Sequence, residues 1–208
     1  MRLMDRDLVI LREINRWRFC LGRHIRFLVG FSGERACDRR LKILCEAGYI
    51  LKKKVLYGVP SLYTLTRKGR VILSTSLKAD KIRLETLTHD ITVLDAVIFI
   101  IDKYKLSLDD IKTEKELHSE DGFGTRKHVP DFVFKYNDKN VCVEVELTGK
   151  AKDKFLKNLK NNYLKYDNQI WVIPIKETRN RSMIEKSGYT DIKIIDCEVI
   201  KNYIKSGK

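Results

Sequence analysis

The chain has 208 residues, 43% of them hydrophobic, and a formal net charge of +14. That length holds one sizeable domain or two small ones, and the apolar content supports a buried core rather than a disordered chain. The charge predicts attraction to a polyanion, either nucleic acid or an anionic membrane surface. It is uneven: residues 1–80 hold 18 Lys/Arg against 7 Asp/Glu, and residues 81–208 hold 24 against 21. The polyanion-facing part is therefore expected in the first third.

The five cysteines (Cys20, Cys37, Cys45, Cys142 and Cys197) have no close metal-binding spacing and read as small core hydrophobes. An odd number of them, with charges at Arg2, Asp5, Arg6 and Asp7 in place of a secretory leader, fits a reducing cytoplasm. No run approaches the roughly 20 apolar residues of a membrane span, so no membrane partner is expected.

Residues 5–19 predict a helix with Leu8, Leu11, Ile14 and Phe19 on its apolar face. Residues 23–29 predict a second, short helix. Ser32 is placed to cap a third, with Glu34 in its first turn, and Gly48 stops it. On that helix Ala36, Leu41, Leu44 and Cys45 face inward, leaving Arg35, Arg39 and Lys42 outside. A strand begins at Tyr49 to Leu51, continues through Lys52, Lys53 and Lys54, turns at Gly58–Pro60 and returns over residues 61–66. Another helix begins at Arg67.

Residues 76–84 are polar and mark a boundary between a first domain (1–75) and a second (85–208). Residues 85–104 predict a helix, either an interface or internal core. Its Thr88-His89-Asp90 reads as an N-cap by Thr88 or Asp90 with a hydrogen-bonded contact between domains; a functional role for His89 and Asp90 is the alternative. Strands are expected at 111–117, 129–136, 141–147, 169–174 and 191–196, a loop at 119–128, a tight turn at 137–140, and helices at 150–166 and 178–187. That order predicts an α/β domain with a central mixed sheet.

Three short helices followed by a basic hairpin are the parts of a winged helix-turn-helix. A helix fits the major groove, where outward Arg and Lys reach guanine edges or phosphates, and a lysine-rich hairpin lies along the adjacent backbone. The candidate DNA contacts are Arg35, Arg39, Lys42, Lys52, Lys53 and Lys54. Asp38 either accepts from cytosine or holds Arg35 or Arg39 in place. A merely solvated basic face, or a protein-binding winged helix, is the alternative. The stretch RRLKILCEAGYILKK, then LYTLTRKG, resembles the winged-helix regulator pattern.

In the second half, Asp131 and the acids Glu144 and Glu146 of an alternating strand come near one another across the hairpin at 137–140. Clustered carboxylates suit Mg²⁺, which can activate water and stabilise charge on a scissile phosphate. VPD at 129–131 and EVE at 144–146 resemble the PD-(D/E)XK nuclease core. The resemblance implies Asp131 and Glu144 as metal ligands. It implies Glu146 where a lysine normally assists the attacking water, with Lys150 as a substitute for that charge. Glu114 or Glu116 matches an upstream acid of some members. The alternative is structural: the acidic face of the strand meets Lys150, Lys152, Lys154 and Lys157 in salt bridges.

Over nearly the whole chain, the YxLTxxG hairpin, LTHDITVLDA, HVPDFVF, VEVELTGKAKDKF and the closing YLKY resemble the replication-relaxation family of bacterial plasmids and mobile elements. This implies a double-stranded DNA partner and a role in replication, mobilisation or transcriptional control, with replication or transfer proteins as further partners. Homodimerisation on a pseudo-palindromic site would be in keeping with winged-helix proteins. A DNA-binding protein with a degenerate nuclease-like domain, and a Mg²⁺-dependent endonuclease or nickase, are the two functional expectations.

Overall fold

A computed structural model describes residues 2–120, 128–149 and 151–207. The chain is mixed α/β and divides into two compact units, Met1–Leu94 and Asp95–Lys208. Among the described residues no helix is long and apolar enough to cross a membrane.

The first unit runs α1 (Asp5–Arg16), β1 (Cys20–Leu21), α2 (Gly22–Leu28), α3 (Glu34–Glu46), β2 (Ile50–Lys53), β3 (Leu62–Leu65) and α4 (Arg67–Ile72). Its three strands are antiparallel in the order β1-β3-β2. The first helix stops three residues short of expectation, because Arg18 adopts a left-handed φ of 69°. Phe19 still reaches the core, from outside the helix. Gly33, not Ser32, holds the N-cap position of α3. Cys37 is buried on α3, whereas Ala36, expected inside, is exposed.

The end of α3 and the start of α4 are fastened together. Gly48 has φ +76°, and the amides of Gly48 and Tyr49 donate to the Cys45 and Leu44 carbonyls at 2.9 and 3.0 Å. This closes the helix in a Schellman motif, for which glycine is the natural residue. Thr66 Oγ1 accepts from the Gly69 amide at 3.1 Å and donates to the Gly48 carbonyl at 2.7 Å. Gly69 has no room for a side chain: a Cβ there would lie 2.3 Å from the Tyr49 carbonyl oxygen. The LTRKG stretch is thus a structural clamp between the hairpin and α4.

Residues 76–84 form neither helix nor strand, but Asp80 is held by the buried Arg70 guanidinium at 3.2 Å. The division between units falls within α5 (Leu87–Tyr104). Thr88 and Asp90 lie inside this helix, so neither caps it. Instead Thr86, just before it, donates to Asp90 Oδ2 at 3.1 Å. Ala96, Val97, Ile98 and Ile100 are buried, so the apolar face of α5 forms core in the second unit.

After a 3₁₀ turn (Leu108–Asp110), the second unit continues through β4 (Ile111–Thr113), α6 (Glu114–Glu120), β5 (Phe132–Tyr136), β6 (Lys139–Val145), α7 (Lys152–Lys165), β7 (Asn168–Ile173), α8 (Thr178–Glu185), β8 (Ile192–Asp196) and α9 (Cys197–Lys205). The five strands lie in chain order, β4-β5-β6 antiparallel and β6-β7-β8 parallel. The strand expected at 111–117 ends after three residues. Thr113 and Glu116 cap each other's backbone amides, at 2.7 and 3.2 Å, and start a helix. The β5–β6 turn is the expected one, with Asn137 and Asp138 at φ 48° and 61°.

One sheet face carries Glu144 beside Trp171 and is covered by Phe155 and Leu159 of α7 and Ile184 of α8. On the other, Phe134 meets Tyr104 of α5 at 5.2 Å, and Tyr203 of α9 meets Phe99 of α5 edge-on at 5.4 Å. The last five residues of β6 are buried on both faces. The acidic side of the strand is therefore interior.

Candidate nucleic-acid interface and acidic cluster

On α3, the apolar positions Cys37, Leu41 and Leu44 anchor one face in the core. The opposite face exposes Arg35, Asp38, Arg39 and Lys42. Arg40, at the edge, turns back to form a two-point ion pair with the buried Asp7 of α1. That pair adds a polar tie between α1 and α3 beside the buried apolar face that leaves Arg35 and Arg39 outside. Among the described residues neither Arg35 nor Arg39 has an ion-pair partner, and Asp38 holds neither of them. Lys42 lies 3.8 Å from Glu46, both exposed, a contact of small energetic weight.

The hairpin lysines divide by role. Lys52 and Lys53 are exposed, with the Lys52 ammonium 5.9 Å from the Tyr63 ring centre. Lys54 instead donates to the Val59 carbonyl at 2.6 Å and closes the loop. A cleft of about 330 Å³ opens beside α3, lined by Arg23 and Arg26 of α2 together with Asp38, Lys52 and Tyr63. The sequence reading missed both arginines; their spacing on a short helix next to α3 is the signal that places them. Lys68, also missed, donates to the Ala47 carbonyl at 2.8 Å at the C-terminal end of α3, where a cation suits the helix dipole.

The structure places Asp131, Glu144 and Glu146 on the α7 side of the second unit's sheet. Glu144 is 4% exposed, and its Oε1 lies 2.6 Å from His128 Nε2 and accepts from Asn162 Nδ2 at 2.9 Å. Burial pushes the Glu144 carboxyl up; the His128 hydrogen bond opposes this, and the nearby charge of Asp131 adds to the rise. Asp131 Oδ2 accepts from the Val145 amide at 2.7 Å. Glu146 is 3% exposed, and its amide extends the parallel pairing by donating to the Val172 carbonyl at 2.9 Å. Lys150 lies outside the described residues.

Among the described residues, none of the expected salt bridges joins Glu144 to Lys152, Lys154 or Lys157. Lys152, Lys154 and Lys157 are exposed, and Glu144 is held by a histidine and an asparagine. Glu114 and Glu116 sit on α6 rather than on a strand, with Glu116 engaged in its cap. His128 and Asn162 were not singled out from the sequence. An asparagine on the apolar face of a helix, between Leu159 and Tyr166, is the mark that a buried polar partner is required. Among the described residues no group of three or more His, Cys, Asp or Glu is arranged to hold a metal ion.

All five cysteines are free thiols. Burial pushes Cys37 and Cys197 up to about 11, so neither supplies a thiolate near neutral pH. No protein-family model, curated protein or solved structure matches the chain.

Proposed function

We propose that this chain binds double-stranded DNA through its first unit, folded as a winged helix-turn-helix with α3 as the recognition helix and β2–β3 as the wing. In this reading the second unit is a PD-(D/E)XK-like module that does not cut. The protein acts in replication, mobilisation or transcriptional control of a plasmid or mobile element, as the resemblance to the replication-relaxation family implies. The observation that carries the reading is the pair Arg35 and Arg39, exposed on the outer face of α3 and, among the described residues, without ion-pair partners. Cations left unneutralised on a helix of groove-fitting shape favour DNA over a protein partner.

The test is fluorescence anisotropy with a labelled duplex across a salt series. Arg35→Ala/Arg39→Ala/Lys42→Ala is expected to lower the slope of log K against log salt by about 2.7, at about 0.9 per lost phosphate contact. Absence of salt-dependent duplex binding by the parent chain would overturn the proposal.

A second reading, a Mg²⁺-dependent endonuclease or nickase, is favoured by the electrostatic proximity of Asp131 to Glu144. Asp131 and Glu144 would be the ligands. The residues as arranged do not fit the ion: Glu144 Oε1 already serves two protein donors, Asp131 Oδ2 serves a backbone amide, and Glu146 stands where the nuclease pattern has lysine. Supercoiled plasmid incubated with the chain and Mg²⁺ or Mn²⁺ is expected to stay intact. Nicking that disappears in both Asp131→Ala and Glu144→Ala would establish the enzyme reading instead.

A further inference from the structure

The second unit carries its own cluster of uncompensated cations. A groove of about 560 Å³ between α7 and α8 is lined by Lys152, Arg179 and Lys186, with Leu156, Met183 and Ser182 between them. All three cations are exposed, and among the described residues none has an ion-pair partner. The groove does not end there. Lys160 and Tyr163 follow Lys152 and Leu156 along α7 at helical spacing, so they extend the same stripe. Tyr163, 42% exposed, stacks on Tyr189 with ring centres 4.3 Å apart and 23° between planes.

Like charges gathered without counter-ions repel one another, and a polyanion relieves that repulsion. Arg179 offers a planar fork suited to phosphate oxygens, and Ser182 adds a hydroxyl donor. From Lys152 to Lys160 the stripe spans about 12 Å, at 1.5 Å per residue, which suits a run of phosphates rather than one small ion. A half-exposed aromatic pair at its end provides a face for a sugar or base.

We propose that the α7–α8 groove is a second nucleic-acid contact, which takes a phosphodiester backbone on Lys152, Arg179 and Lys186. The inference rests on the DNA-binding reading of the first unit and adds a surface which that reading does not include. It explains why a half of the chain with nearly balanced charge still shows a basic face: its acids Glu144 and Glu146 are turned inward and its lysines outward.

The experiment compares the full chain with Lys152→Ala/Arg179→Ala/Lys186→Ala, with the α3 triple variant, and with the two sets combined. Duplex affinity is measured across salt, and circular dichroism verifies the fold. The groove variant is expected to lower the salt slope by about 2 to 3 and to weaken binding about tenfold or more at moderate salt. The combined variant is expected to lose both increments. An unchanged slope in the groove variant, with a reduced slope in the α3 variant, overturns the groove proposal and leaves the first-unit reading intact. No duplex binding by the parent chain overturns both. Poly-glutamate binding that depends on the groove and resists competition by duplex assigns the groove to an acidic protein segment, and also overturns the proposal.

Discussion

Both units bury carboxylates, but they compensate them differently. In the first unit Asp7 is fully buried against the Arg40 guanidinium, and Glu13 lies 3.2 Å from Arg16. In the second, Glu144 is held by His128 and by the neutral amide of Asn162. An arginine partner returns in Coulomb energy much of what desolvation costs, and it locks two helices in register. At Glu144 the hydrogen bonds to His128 and Asn162 offset only part of the cost of burial. The difference shows in the titration of Asp7 and Glu144, whereas burial raises Glu13 even beside Arg16. Burial alone would raise the Asp7 carboxyl, but hydrogen bonds from Arg40 and the Met4 amide outweigh it and leave the group below its usual range. Glu144 stays above its usual range. The first kind of acid holds a scaffold together. The second is an acid kept in the interior at a cost.

The largest test of this contrast is Asp7→Ala. It leaves Arg40 half-buried and unpaired, and the first unit is expected to lose about 3 kcal/mol of stability. Hydrogen exchange, which resolves the two units separately, checks both the loss and its confinement. The sign with pH follows from the lowered carboxyl. The stabilisation is fully present above about 3.8, the ordinary aspartate value, and is lost as pH falls through the still lower folded value. Asp7→Ala therefore removes most of its stability above that range and little at the acid extreme. Equal destabilisation at all pH values would contradict the ion-pair account.

Glu144→Gln is the smaller and opposite test. Glutamine keeps an oxygen to accept from Asn162 and removes the buried charge, so stability is expected to change by about 1 kcal/mol or less. Because the Glu144 carboxyl is raised above 4.5, the parent loses stability as pH rises from 4.5 through the folded value. The variant escapes that loss, so its stability relative to the parent should improve over the same interval. Under the DNA-binding proposal its duplex affinity matches the parent's. Strong destabilisation at neutral pH would show that the Glu144 charge is a structural partner like Asp7, and would erase the contrast between the units.

Much of the architecture was legible before any coordinates. The alternation of residues 141–147, the NDKN turn and the periodicity of α3 each follow from local chemistry that one segment carries by itself. The errors share a cause. The segment 111–117 reads as a strand, whereas Thr113 and Glu116 form a capping box visible as T-x-x-E. The missed α9 begins with Asp196 accepting from the Glu198 amide at 2.9 Å, another short capping signal outweighed by the strand before it. In the acidic cluster, Asp131, Glu144 and Glu146 were found from their spacing. His128 and Asn162 were not: Asn162 on the apolar face of α7 signals a buried polar partner, but which residue it meets, 18 positions away, leaves no trace in the sequence.

By itself the sequence determined the α/β class, the basic first third and the acids of one strand, since composition and short-range periodicity act within a segment. Tertiary structure decided where the charges point. Burial of Cys37, Leu41 and Leu44, with the Arg40–Asp7 pair at the edge, leaves Arg35 and Arg39 outward on α3. On one face of the second sheet Glu144 is covered by α7, and Glu146 is buried as well. The lysines of α7 then face solvent rather than those acids. Each outcome depends on which remote surface an element packs against, and only the folded chain fixes that.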